Sequence, residues 1–302
     1  MRQTIRILFL GILILLVFAP MAHAWGIGVH MAIGNHILDH LGLIAPAIAA
    51  VLTKHPRSFL YGCLSADIFI GKGCRTTSTH SHNWSVGNRL LDLAPSDQLK
   101  AYAYGYLSHL AADTVAHNFY VPNMLAMTPG SGKWNHVYIE MQADMHVAWN
   151  PTEAQELFKS KHQGADKTLL AATAKKPFPF YLKKQLFRGS VLASGQKSWN
   201  VSLGLMGQVI PRATDPVYLD QMVVLSRNAV CDFLCDPENA AVLDLDPVGT
   251  RNLRSAHVGR KKRNKTLRQG KSLPVFPIPL KLRDLVPGRL NRPTWLLAAN
   301  DS

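Results

Sequence analysis

Apolar residues recur along most of the chain at helical spacing. Val29, Ile33, Ile37 and Leu41 fall on one helical face within residues 28–52, where Gly42 followed by Pro46 predicts a break. Residues 58–84 mix apolar positions with Gly, Ser, Thr and Cys and predict loop around a short helix. Helices are predicted over 85–94 and 98–121, the second ended by Pro122, and from about Asn135 to Trp149 beyond the Pro-Gly-Ser-Gly stretch at 129–132. Thr152 and Glu156 open a further short helical stretch. After Pro177 and Pro179, helices resume near 180–195 and 216–235. Strand-like alternation is scarce, so by periodicity the domain is expected to be mostly α.

Past Asp246 the pattern gives way to Pro, Gly and charge runs, which predicts a loosely structured tail. Charge sharpens that boundary. Residues 25–249 carry 18 Lys and Arg against 17 Asp and Glu, whereas residues 250–302 carry 13 against 2. The basic character belongs to the tail, where "RSAHVGRKKRNKTLRQGK" could tether the protein to an anionic membrane surface. At the other end, Arg2 and Arg6 precede an apolar run from Ile7 to Phe18, closed by Ala22-His23-Ala24. This is the layout of a signal peptide cut after Ala24, so export to the periplasm or the exterior is expected. The expected organisation is therefore a signal over 1–24, a helical domain over 25–249 and a basic tail over 250–302.

Four cysteines are too few for a disulfide scaffold. Cys63 with Cys74 is the expected pair, since Cys231 and Cys235 lie one helical turn apart, a poor geometry for a mutual bridge. Their spacing matches no zinc ribbon or finger.

The chemistry concentrates elsewhere. In "YLSHLAADTVAH", His109, Asp113 and His117 stand at i, i+4 and i+8 in an apolar run. On a helix such positions drift by only about 40° per step, so the three share one ridge. Burying them unpaired would cost several kcal/mol, whereas one divalent cation satisfies all three. "HVYIEMQAD" repeats the pattern with His136, Glu140 and Asp144, although Asp144 reads better as a supporting acceptor or a solvated residue. Imidazole with carboxylate suits zinc, and two facing ridges can enclose several ions. Asp67 in "LSADIFIG", His80 and His82 in "THSHNW", and Trp25 with His30 extend the set of N and O donors.

The order of these residues resembles that of the bacterial zinc-dependent phospholipase C family, a resemblance that extends to the N-terminal domain of glycosylphosphatidylinositol-specific phospholipase D. It implies an all-helical domain enclosing up to three zinc ions, with the first mature residue as a ligand through its α-amine and carbonyl. Carried over by position, Trp25 and His30 would hold one ion, with Asp113 bridging to a second. Asp67, His82, His109 and Asp113 would hold the second ion, and His117, His136 and Glu140 the third. His82 is favoured over His80 because a His just before an aromatic matches the family pattern. The four-residue step from Asp113 to His117 is shorter than in the best-known secreted members, which leaves the third site less defined.

The resemblance implies hydrolysis of a phospholipid head group by metal-activated water, with Asp67 orienting or deprotonating that water. Two alternatives stay open. Single-strand-specific zinc nucleases resemble this family in fold, and the basic tail would suit a nucleic acid. A non-catalytic, zinc-holding membrane-surface protein would need a structural site, but those are normally closed and Cys-rich, and this donor set has no thiolate.

Overall fold

Among the described residues, five helices open on a proline, whose missing N–H costs nothing in a first turn and whose fixed φ suits it. They are α2 (Pro46–Lys54), α3 (Pro56–Ser65), α7 (Pro151–Lys159), α9 (Pro177–Ser194) and α10 (Pro216–Cys235). The computed structural model describes residues 25–69, 77–127, 139, 142–194, 216–268 and 276–286. The remaining helices among them are α1 (Ile27–Asp39), α4 (Trp84–Asp92), α5 (Asp97–Val115), α6 (Val121–Met127), α8 (Gln163–Thr173), α11 (Thr250–Arg268) and α12 (Leu280–Arg283). No strand occurs among the described residues, as the scarcity of alternation predicts, and no described helix is long and apolar enough to cross a membrane. Residues 1–24, Cys74, His136 and Glu140 lie outside the described residues.

α5 is the axis of the domain. From Ala101 to Val115 every residue except Tyr104 is buried, the signature of a helix covered on all sides. α2, α3, α4 and α10 pack around it, and α1 packs against α3 and α10. The closest crossing is with α3, where two glycines bring the backbones into contact. A Cβ on Gly62 would stand 2.2 Å from the Tyr102 carbonyl oxygen, and one on Gly105 would stand 2.0 Å from that of Phe59. Residues 58–65 are thus the short helix expected within the 58–84 stretch, and it is buried. Its Gly, Ser and Cys are small because the neighbouring backbone is so near, not because the chain turns there.

Pro122 was expected to end the 98–121 helix. Instead α5 passes into a π-turn over Ala116–Tyr120 and continues as α6, and the Asn118 carbonyl, four residues before Pro122, accepts from the Asn252 side chain in place of the N–H that proline lacks. Past Gly249, where composition predicts a loosely structured tail, α11 begins and buries Leu253 and Ala256. Asn252 Nδ2 donates to the Asn118 carbonyl at 2.8 Å, and the Phe276 amide donates to Asn123 Oδ1 at 2.9 Å. Buried apolar residues spaced among many charges explain why composition alone hid this docking. Cys63, expected to pair with Cys74, is a free thiol buried on α3, where burial pushes it far above the usual thiol range.

Candidate metal centre

Asp67 sits in the 3-10 turn Ala66–Ile68 that follows α3, so the glycine crossing that brings α3 against α5 also delivers Asp67 to the ridge carrying His109 and Asp113. His82 arrives from the loop before α4. Tyr106, one turn ahead of His109 on α5, donates its hydroxyl to the Ser81 carbonyl at 2.5 Å and pins that loop. The His82 amide donates to His80 Nδ1 at 3.1 Å, so His80 braces the backbone while His82 faces inward. One donor atom from each of Asp67, His82, His109 and Asp113 lies within 4.8 Å of the others, and all four residues are buried.

The contacts have the chemistry of a cation site. His82 Nε2 and His109 Nε2 are 3.1 Å apart, and each faces Asp113 Oδ2, at 3.1 and 3.2 Å. His82 Nε2 also lies 3.2 Å from Asp67 Oδ1. His109 Nδ1–H donates to the Cys63 carbonyl at 2.8 Å, which leaves Nε2 with its lone pair. Two imidazole lone pairs and two carboxylates converging in a dry interior need positive charge among them, and a zinc ion fits this N and O donor set. The electrostatics agree. Burial pushes His109 down, but the carboxylates of Asp113 and Asp67 outweigh it and raise His109 to about 9. Burial likewise raises Asp113, but His109 and His30 hold it well below the usual carboxylate range. The field that would keep a proton on His109 would equally attract a metal ion.

Asp113 addresses two donor sets. While Oδ2 faces His82 and His109, Oδ1 lies 3.2 Å from His30 Nε2 and 3.3 Å from the Trp25 backbone nitrogen. The His30 ring stacks on His109 at 3.9 Å between centroids, and His30 is held below the usual histidine range by burial and then by His109. Trp25 is wholly buried, its indole N–H donating to Ser226 Oγ at 3.0 Å and its ring stacked on Tyr120 at 4.8 Å. The two oxygens of this carboxylate thus face two separate groups of donors.

His117 is farther out, its ring 6.3 Å from that of His82. It lies in the π-turn, and its Nδ1–H donates to the Pro247 carbonyl at 2.7 Å, again leaving Nε2 as a donor. The loop that supplies this carbonyl is closed by Asp246, which accepts from the Val248 and Thr250 amides at 2.9 and 3.0 Å, and by Gly249. Gly249 has a φ of +61°, and a Cβ there would meet the His117 carbonyl oxygen at 2.2 Å. Asp144 accepts from the Val29 amide at 3.0 Å and so serves the N-terminus of α1, the helix that carries His30.

Of the nine residues singled out in the sequence, four form the cluster, and Trp25 and His30 adjoin it through Asp113. His117 stands one shell away, and His136 and Glu140 are not among the described residues. Sequence reasoning missed Tyr106, Ser226 and the carbonyls of Cys63 and Pro247. Tyr106 alone carried a signal, since it precedes His109 by three and shares its ridge.

A family model described as zinc-dependent phospholipase C matches residues 29–186, just over half of the 302 residues. No curated protein and no solved structure matches. The matched span contains every member of the four-residue cluster, together with His30 and His117. A buried imidazole and carboxylate centre in an all-α domain and the match of the chain's larger part to that model agree: the protein belongs to the zinc-dependent phospholipase C family.

Proposed function

We propose that the protein is an exported phosphodiesterase that hydrolyses phospholipids between the phosphate and the diacylglycerol oxygen. The observation that carries this reading is the buried Asp67, His82, His109 and Asp113 cluster inside the matched family span. Asp67, His82, His109 and Asp113 would hold one zinc ion, and His30 and the Trp25 nitrogen would hold another through Asp113. His117, with His136 and Glu140, would complete a third site. Zinc bound there supplies a Lewis acid that acidifies water and neutralises phosphate charge.

The chain's own groups do the rest. Asp67 orients the attacking water and takes its proton. The water oxygen forms the new bond to phosphorus, and the bond to the glycerol oxygen breaks. That oxygen leaves as the alcohol of diacylglycerol after gaining a proton, and the head group departs as its phosphomonoester. The carbonyls of Cys63 and Pro247 keep His109 and His117 in the tautomer that faces inward. Removal of residues 1–24 would turn the Trp25 nitrogen, 3.3 Å from Asp113 Oδ1, into an α-amine able to shed its proton near neutral pH.

The test is turnover by zinc-loaded protein beginning at Trp25, on phosphatidylcholine and on single-stranded DNA in parallel. Release of phosphocholine and diacylglycerol is expected. Turnover of DNA alone would assign the centre to nuclease chemistry, and turnover of neither, with zinc bound, would make it a non-catalytic centre.

A further inference from the structure

The outer face of α9 is apolar where a helix in water is normally polar. Phe180, Phe187 and Val191 face the core. At about 100° per residue, Phe178, Leu182 and Leu186 follow one another on the opposite side, with Tyr181 beside them. They are 82, 56 and 46% exposed, and Tyr181 is 44% exposed. These four are among ten large apolar side chains exposed across the described residues, so the exposure is concentrated on one helix.

Cations flank this ridge. Lys184 Nζ lies 2.5 Å from Asp166 Oδ2 and 5.1 Å from the centre of the Tyr61 ring, which fastens α9 to the core. Lys175, Lys176 and Lys183 rim a cleft of about 320 Å³ whose apolar walls include Phe69, Pro179 and Phe180. Among the described residues, no carboxylate pairs with Lys175 or Lys176. Burial, then the charge of Lys175, draws Lys183 below the usual lysine range. The helix also reaches the centre, since the Phe180 ring lies 5.4 Å from that of Phe69, two residues beyond Asp67.

We propose that this face of α9 docks the protein on an anionic phospholipid bilayer, with Phe178, Leu182 and Leu186 entering the acyl boundary and Lys175, Lys176 and Lys183 meeting lipid phosphates. An apolar ridge flanked by cations matches the layering of such a surface, apolar within and anionic at the boundary. A second copy of the chain fits less well, because a two-fold pairing would bring two cationic faces together, and residues 175–194 contain no carboxylate to offset them. Docking here brings the bilayer to the helix that touches the turn carrying Asp67, and only this choice of partner rests on the phospholipid reading above.

The test uses the full mature chain with zinc and its basic C-terminal segment intact. Partition is measured on phosphatidylcholine vesicles and on vesicles that also contain phosphatidylglycerol. Wild type should prefer the anionic vesicles. Phe178→Ser with Leu182→Ser should lower partition to both kinds on the order of tenfold. Lys175→Gln, Lys176→Gln and Lys183→Gln together should reduce the anionic preference and its sensitivity to salt, leaving only the share carried by the basic C-terminal segment. Both variants should melt like wild type, since they alter exposed or half-buried side chains, and should turn over a monomeric short-chain phosphatidylcholine at the wild-type rate. Wild-type partition by both variants would overturn the proposal. So would an effect of the serine pair on self-association with vesicle binding unchanged. Vesicle results as expected, with no wild-type turnover of the monomeric lipid, would leave docking standing and remove the phospholipase reading instead.

Discussion

Gly105→Ala tests whether the α3 and α5 backbones must touch for the centre to form. A Cβ at this position would lie 2.0 Å from the Phe59 carbonyl oxygen and 3.0 Å from the Cys63 amide nitrogen. Both atoms belong to helix backbone and cannot swing aside, so the helices must part by roughly 1 Å or more to restore ordinary contact. Overpacking of this kind costs about 1–3 kcal/mol, against which alanine in a helix interior recovers up to about 1 kcal/mol over glycine. A net destabilisation of about 1–2 kcal/mol is expected. The separation opens where the Cys63 carbonyl accepts from His109 Nδ1 at 2.8 Å. Losing such an orienting partner typically weakens metal affinity by about 10–100-fold. Urea denaturation of zinc-stripped protein reads the first effect, and competition with a chromophoric chelator reads the second. Gly164→Ala is the control, because its Cβ would meet only Leu99 Cδ2 at 3.6 Å. It should stabilise by about 0.5–1 kcal/mol and leave zinc binding alone. Gly62→Ala attacks the same crossing from α3, 2.2 Å from the Tyr102 carbonyl oxygen, so the double variant should lose less than the sum of the two. Wild-type stability and zinc affinity in Gly105→Ala would refute the reasoning.

Asp67→Asn keeps an oxygen donor beside His82 but removes the proposed proton acceptor, so zinc content should largely persist while turnover is lost; metal analysis beside an activity assay checks both, and undiminished turnover would exclude the role. In zinc-stripped protein, burial lowers His109, but Asp113 and Asp67 raise it to about 9. Its stabilising contribution is then fully present below the unfolded value of about 6.5 and is lost as pH rises through about 9. Melting temperatures of stripped protein should therefore fall across that window through this group, whereas zinc's stabilising increment should grow with pH because protons and metal compete for the same nitrogen. Asp144→Ala removes the acceptor for the Val29 amide and should cost about 0.5–2 kcal/mol in urea denaturation, with Asp144→Asn losing less.

The mostly helical character was legible because apolar spacing records which side of each helix is covered. Two of the four clustered residues were legible for a related reason, whereas Asp67 and His82 were legible only through the family resemblance. His109 and Asp113 share a ridge by spacing alone, and burial turns such a ridge into a demand for positive charge. The reading of 58–84 as loop around a short helix did not place that helix, because small residues have two physical causes, a turning chain or a close neighbour. Gly62 and Cys63 are small for the second reason, and only the partner helix, some forty residues away, reveals it. The tail reading missed α11 for a similar reason, since thirteen cations obscure the four buried apolar positions, Leu253, Ala256, Phe276 and Leu282, by which α11 and the described segment after it attach.

What orients the histidines left no trace in the sequence at all. His109 and His117 each give a ring N–H to a backbone carbonyl, from Cys63 and Pro247, and a carbonyl carries no residue identity. Its position follows from packing: the glycine crossing for Cys63, the left-handed Gly249 and the Asp246 turn for Pro247. The two histidines therefore differ in what would disturb them. His109 depends on contact between the buried stretches of two helices, α3 and α5, and should hold its orientation as long as the core does. His117 depends on a π-turn held against a loop that also starts α11, so a lesion in that loop should weaken the outer donor while the inner four remain assembled. Gly249→Ala separates the two: it should lower zinc stoichiometry by one ion and spare the site that contains Asp67, His82, His109 and Asp113. Equal loss of every ion would mean that the centre forms as one unit, with no such division between helix-held and loop-held donors.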